Sequence, residues 1–590
     1  MSAAARTIVA ALLLVLGVQF WLVAGRGEWG NLPGPIVWAA IMLIALLPRV
    51  NRRIAAAIHS IARPSPRRRL VIGFVIAIAA GGYLYFTAVR QQRDFFLKIH
   101  DEHSYAIQAR MLADGRLWMP AHPAADSFDS PYVLVRPVYA SMYFPGTALT
   151  LVPGVWLGLP WWVTPLALSA AAVGVLYRVV AEMIDGLAGL LAALMLVSLS
   201  TFRELSLRLY SQTPMLFLAL CLIWAWLAWR RDRRWWRGAV VGFLVGWMLI
   251  VRPLDALVFL LPVVIATALE LRKPDLRTIL AIAIGALPFL TLQLIANRGI
   301  TGAWLTTPHA FYARRDFPDI TLGFHTPRPP SSLATVVPQK RMLYEEAIPA
   351  IEHHRPRNFL REMLRNRLPQ TVSTTLPNNL LVILMPLGVA ALLARRADPR
   401  AWVLVAPLPL FLLAYAFYLF YFAHYLLVIA PATIVLILLG GRELPALFPR
   451  MRNALTVLVT CSIAALSLYG LPELHRTVHD DVGADDLPAI NDMLANLPHR
   501  PAIVLFRYAE GVSIQREPVY NVDTKDIDDA DVIRAHDLPG EPNRVLLEYY
   551  AVRQPQRHVY RVIRKPAGGQ PELIDLGVVG DVSRTPPEPL

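Results

Sequence analysis

The stretch RRRLVIGFVIAIAAGGYLYFTAVRQQRDFFLKIHDEHSYAIQ, residues 67–108, decides how the chain is built. Three arginines precede an apolar run over 70–88, and the run gives way to a polar segment with adjacent acids, Asp101 and Glu102. A hydrocarbon core about 30 Å thick takes roughly 20 helical residues at about 1.5 Å each, so this run is long enough to cross. Similar runs lie at 7–25, 34–48, 161–181, 185–202, 213–229, 238–252, 254–269 and 278–296, then at 376–394, 401–421, 424–440 and 453–470. The expected fold is a polytopic α-helical membrane protein of about thirteen spans. The segment 145–160 is too broken by Pro and Gly to span and reads as interfacial or re-entrant. No internal repeat of the kind that inverted-repeat transporters carry stands out. Composition agrees: of 590 residues 56% are hydrophobic and only 17% charged, too few polar residues to coat several soluble globules.

Charge orients the spans. The net charge is +15, yet residues 471–590 carry 20 acidic and 13 basic side chains, so the whole excess lies in residues 1–470. It sits there as short Arg clusters at 49–69, 230–237, 271–277, 395–400 and 442–452. Such spacing writes membrane topology and excludes a groove for nucleic acid. With the N-terminus inside and thirteen spans, every cluster falls in the cytoplasm. The outer side receives 89–144, 203–212, 297–375 and the tail 471–590. The first run, behind Arg6, reads as an anchor rather than a cleaved signal peptide. Cys221 and Cys461 both lie in apolar runs, so neither a disulfide framework nor a cysteine metal site is expected.

Two domains follow: a transmembrane body over 1–470 and a small α/β domain over 471–590. In the tail, PAIVLF (501–506), PVYNV (518–522), RVLLEYY (544–550) and HVYRVI (558–563) read as strands, and DDLPAINDMLANL (485–497) as a helix. The last ~20 residues, rich in Gly and Pro, read as disordered.

Acids and bases near the membrane are the informative residues in so apolar a chain. Asp101 and Glu102, flanked by His100 and His103, open an expected amphipathic helix on the interface. Position alone makes them helix N-terminal acids, favoured by the helix dipole. An Asp-Glu pair in the first large outer loop, followed by Tyr105 and an Ala-containing helix, resembles the GT-C superfamily of glycosyltransferases. The likeness is to the protein O-mannosyltransferases and the aminoarabinose transferases of lipid A. YFPGTALTL (143–151) resembles their Tyr-Pro-Pro-Gly element, with Phe144 where the first Pro often stands.

The resemblance implies transfer of a sugar from a polyprenyl-phosphate donor to a glycan, lipid or protein acceptor on the periplasmic face of a bacterial inner membrane. It implies inversion, with Asp101 as general base and Glu102 orienting its surroundings or holding substrate hydroxyls. Phosphate is a good leaving group, so one carboxylate suffices where a glycosidase needs two. Tyr105 and Tyr143 are expected at the substrate, and Arg252, Arg208 and Arg136 are candidates for the donor phosphate. The alternative partners are Asp255 for Arg252 and Glu204 for Arg208. His309, Tyr312 and Arg315, in the long loop 297–375, are candidates to cover substrate, or else interfacial anchors. The aromatic run 415–425 reads as a membrane belt, with His424 a satisfied interfacial residue. A divalent metal is possible at Asp126, Asp129 and His122, but no spacing compels one, and no cofactor is assigned. KDIDDAD (525–531) reads as a solvated turn, lacking the Gly and Glu of an EF-hand. The rival classes are a flippase of lipid-linked sugars and a non-catalytic envelope assembly protein. Sugar, acceptor and oligomeric state stay open.

Overall fold

The computed structural model describes residues 40–584, apart from 42, 62–63, 271–275, 395–397, 472–485, 523–525 and 567–568. The expected span 7–25, and residues 34–39 and 42 of 34–48, lie outside the described residues. By length and composition seven described helices can cross a membrane: Pro66–Arg90, Val163–Met183, Gln212–Asp232, Pro253–Glu270, Leu276–Thr301, Ala423–Leu447 and Pro449–Tyr469. The expected span 376–394 belongs to a pair, Pro356–Thr375 and Asn379–Leu393, bent by 105°. Three others are apolar helices below the length of a span: Gly186–Ser198, Trp235–Val251 and Trp402–Tyr415. The segment 145–160 holds a 12-residue helix, too short to cross.

Ala423–Leu447 runs through the middle of the bundle. Pro66–Arg90 and Leu276–Thr301 lie outside and turn Phe74, Ile78, Ile284 and Leu287 outward, where hydrocarbon rather than water suits them. At one end of the bundle the Glu182 carboxylate gathers Arg178, Arg231 at 3.6 Å and Arg69 at 3.9 Å, so the Arg linkers meet there.

The other end is built, in chain order, by helix α1 (His100–Ala113), strands β1 (Met119–Pro120), β2 (Val133–Leu134) and β3 (Val138–Ser141), and helices α2 (Pro145–Trp156), α3 (Gln212–Asp232), α4 (Trp235–Val251), α5 (Pro308–Arg315) and α6 (Pro338–His353). The tail follows with β4 (Ala502–Tyr508), β5 (Val532–His536), α7 (Glu541–Arg553), β6 (His558–Arg564) and β7 (Glu572–Val578). Its sheet runs β5-β4-β6-β7, with β4 parallel to both neighbours and β7 antiparallel at the edge. Ile107, Met111 and Phe128 of the first loop share one apolar core with Ile503, Leu505 and Tyr550 of the tail. Leu134 and Met142 pack with Tyr312 and Tyr344 of the second loop. Loops 89–144 and 297–375 and the tail thus form one body.

The tail differs in detail from its sequence pattern. RVLLEYY lies in α7, not in a strand: Gly540 at φ 89° and Pro542 in the first turn start a helix, and Leu546, Leu547 and Tyr550 bury one stripe. PVYNV is buried but unpaired, while β5 and β7 form where no strand was expected. The expected disordered end is ordered over β7 and Val579–Val582; 585–590 lie outside the described residues.

Candidate active site

The first turn of α1 carries both acids. Ten of its fourteen residues are buried, so α1 is enclosed between bundle and tail instead of lying amphipathically on the interface. Asp101 and Glu102 diverge by about 100° around the axis and meet different surroundings. Glu102 is 1% exposed and fully engaged. Its Oε2 accepts from the backbone N–H of Lys98 at 2.9 Å and Ile99 at 3.3 Å, and its Oε1 from Leu209 at 3.2 Å. Arg208 stands 3.7 Å away and donates to the Phe96 carbonyl. This pair ties the approach to α1 to the 206–211 turn, and three of the roughly four acceptor sites of the Glu102 carboxylate are taken by the backbone. Arg208, expected at the donor phosphate with Glu204 as the alternative partner, stands beside Glu102.

Asp101 keeps free capacity. Its Oδ1 accepts from the Tyr143 hydroxyl at 2.5 Å. Burial pushes the carboxyl up to about 6, against the Tyr143 bond and the Arg252 charge, which pull it down. Tyr105 stacks on Tyr143 at 4.4 Å, and Tyr132 meets Tyr143 edge-on at 5.8 Å, so aromatic rings wall the carboxylate. Two more buried groups sit behind it: His100 bonds Tyr520 at 3.1 Å, and the His103 ring stacks on Tyr520 at 4.5 Å. Burial lowers His100 to about 4, so it is neutral at pH 7.

The Pro-Gly element fixes Tyr143 beside Arg252. Phe144 is extended, Pro145 starts α2, and Gly146 lies against the α4 backbone, where an added Cβ would come within 2.5 Å of the Ile250 carbonyl. Trp247 Nε1 donates to the Gly146 carbonyl at 2.9 Å. Pro253 bars helix at the residue before it, so α4 ends and Arg252 turns off at φ −148°, ψ 92°. Its Nε donates to Asp255, one terminal nitrogen to Ser211 Oγ at 3.0 Å and the other to the Tyr415 hydroxyl at 2.7 Å. A guanidinium has five N–H groups, so two remain. Tyr415 also donates to Asp255 at 2.8 Å, and the Tyr425 ring lies 4.8 Å from the guanidinium. Part of the 415–425 run is thus a floor for Arg252 rather than only a belt. Sequence reasoning missed Tyr415 and Tyr425 because the hydrophobic and aromatic neighbours of the run hid one partnered hydroxyl and one ring against a guanidinium. His424 packs against Tyr210 and Phe422.

His309, on α5, joins the group: it stacks on Phe144 at 6.3 Å, and burial and the Arg252 charge lower it to about 4. Arg136 does not join, because its exposed guanidinium pairs with Asp126. Tyr312 is fully buried and its hydroxyl accepts from the Tyr132 N–H at 3.0 Å; Arg315 donates to the Arg136 carbonyl. Both brace the loops. The three candidate metal ligands go separate ways: Asp126 to Arg136, Asp129 to Lys340 at 2.6 Å, and His122 to Asp528 at 3.2 Å. Lys340, which no sequence pattern marked, is 1% exposed and also reaches Asp316 at 3.1 Å, pinning α6 to the first loop. Asp528 of the KDIDDAD run accepts from Tyr549 at 2.6 Å and Tyr550 at 2.7 Å, so it holds the tail together and is no solvated turn.

No family model matches the chain, and no curated protein matches it. Among the solved structures similar to it are two transferases. The oligosaccharyltransferase of Archaeoglobus fulgidus, in complex with Zn and sulfate, aligns with 74% of this chain at 11% identity and a TM-score of 0.42. This chain spans 60% of that protein's length. ArnT from Cupriavidus metallidurans, bound to undecaprenyl phosphate, aligns over 83% of this chain and 92% of its own, at 12% identity and a TM-score of 0.47.

Proposed function

We propose that the protein is a membrane glycosyltransferase that moves a sugar from a polyprenyl-phosphate donor to an acceptor on the periplasmic side of a bacterial inner membrane. The observation that carries this reading is the placement of Asp101, in a tyrosine-walled site, within the field of the Arg252 guanidinium. A carboxylate held near 6 is basic enough to accept a proton and still ionised at pH 7. A guanidinium with two free N–H groups stands at the end of α4, within reach of its charge.

In this mechanism the donor phosphate lies against Arg252, with its lipid between spans, and the sugar points to Asp101. The acceptor hydroxyl or amine attacks the anomeric carbon from the face opposite the phosphate. Asp101 takes the proton as the new bond forms, the phosphate leaves with the electron pair, and the configuration inverts. Tyr143 and Tyr105 orient the carboxylate and exclude water, His309 closes the site from the second loop, and Glu102 with Arg208 holds α1 in register. Asp126, Asp129 and His122 do not fit a metal, and no step is assigned to one.

The acceptor has a route through the tail. A cavity of about 430 Å³ lies between α6 and the carboxyl ends of β4 and β5, with Gln339, Met342, Arg507 and Asp537 among its lining. Ile514, also in its wall, neighbours His100, next to Asp101. Parallel sheets commonly bind ligands at this edge. The test is consumption of defined undecaprenyl-phosphate sugars by the purified protein in proteoliposomes. Transfer that depends on Asp101 supports the reading; consumption of none of the donors with any acceptor class removes it.

A further inference from the structure

The far edge of the tail's sheet, at the amino ends of β4 and β6, carries a group of side chains with no part in the site above. His499 precedes β4, His558 opens β6 and Asp575 lies on β7. Three separate elements therefore converge. The His499 and His558 rings stack with centroids 4.4 Å apart, and His558 Nε2 lies 3.2 Å from Asp575 Oδ1. One donor atom from each residue lies within 4.8 Å of the other two.

Local structure holds the three in place. The β6–β7 ladder breaks register between Val559 and Tyr560, so that Tyr560 faces Asp575 while Val559 faces Gly577. Gly577 takes φ 95°, a conformation that side chains rarely adopt, and its N–H donates to Asp575 Oδ1 at 2.8 Å. This bulge turns Asp575 toward His558. On the other flank the Tyr560 hydroxyl accepts from the His499 backbone N–H at 3.1 Å and anchors the turn that carries the second imidazole. A His–Asp ion pair needs neither the third residue nor the bulge.

We propose that His499, His558 and Asp575 form a binding site for a zinc ion. Tetrahedral zinc with bonds of about 2.0–2.2 Å sets neighbouring donors about 3.4 Å apart. The His558–Asp575 spacing is already close to that, and His499, being exposed, can close by a change of rotamer. Two imidazoles and one carboxylate suit zinc and its transition-metal neighbours, and disfavour magnesium or calcium, which take all-oxygen shells. The fourth position faces solvent and takes water. The ion would join the edge strand β7, through β6, to the turn ahead of β4, closing the last strand onto the sheet's centre. This site is independent of the transferase reading, and its test involves no sugar.

Tag-free, full-length protein in detergent, stripped with a chelator, is titrated with zinc chloride by equilibrium dialysis. Melting and proteolysis of the tail are followed in parallel. The expected result is one zinc per chain in the micromolar range, a higher melting temperature, slower cleavage beyond residue 565, and no displacement by millimolar magnesium. His499→Ala, an exposed position that leaves the fold intact, should weaken binding at least tenfold and abolish both protections, and Asp575→Asn should do the same. Absence of binding, or binding unchanged in His499→Ala, overturns the proposal.

Discussion

Two faces of one helical turn put the same chemical group to opposite uses. On one face Glu102 spends its oxygens on three backbone N–H groups and stands by Arg208, deep in the protein. On the other, Asp101 receives a single hydroxyl and faces Arg252 without pairing to it. A saturated carboxylate stabilises a fold. One left short of partners in a buried place costs stability and is available for chemistry. The comparison assigns the residues, and substitutions at each should separate into those that stop transfer and those that unfold.

The largest effect is expected at Asp101. Asp101→Asn should lower sugar transfer by about 10²–10⁴-fold, the range of a lost general base. Its melting temperature at pH 8 should hold or rise: a carboxyl raised in the folded state weakens the fold once ionised, and Asn removes that charge. Glu102→Ala should do the reverse. It strands three N–H groups and removes the carboxylate beside the buried Arg208, and loss of one partner of a buried pair costs about 3–5 kcal/mol, read by thermal denaturation. If Glu102→Ala melts like the parent and only transfer suffers, the contrast between the two acids fails.

Arg252→Lys should come next. It keeps the charge but not the planar fork that meets Ser211, Tyr415 and Asp255, and we expect kcat/KM for donor to fall by about tenfold or more. The smallest effect belongs to Arg136→Gln. That guanidinium pairs with Asp126 in solvent, where such pairs contribute about 0–1 kcal/mol, and transfer should stay within about twofold of the parent.

How legible this was in the chain depended on range. Apolar length is local, and the expected runs from 70–88 to 453–470 correspond to helices, though Gly186–Ser198, Trp235–Val251 and Trp402–Tyr415 are shorter than a span and 376–394 belongs to a bent pair. The acidic pair was legible because adjacency on a helix forces divergence, while their unequal roles were not: Leu209, which completes Glu102, is 107 residues away. Arg252 stood out as a cation at the end of an apolar run, but Tyr415, 163 residues on, did not. In the tail, RVLLEYY misled because a buried helix stripe and a buried strand share an apolar run, and only Gly540 and Pro542 separate them. Arg136 misled because its loop position says nothing about the nearby Asp126.

The acidic limb of the pH–rate profile tests the assignment of Asp101 most directly. Wild-type kcat/KM should fall about tenfold per pH unit below a midpoint near 6, where the carboxylate takes up its proton and ceases to be a base. Tyr143→Phe removes the hydroxyl that favours the ionised form, so its midpoint should move to higher pH. A profile flat from pH 5 to 8, or a midpoint unmoved by Tyr143→Phe, would contradict Asp101 as the base.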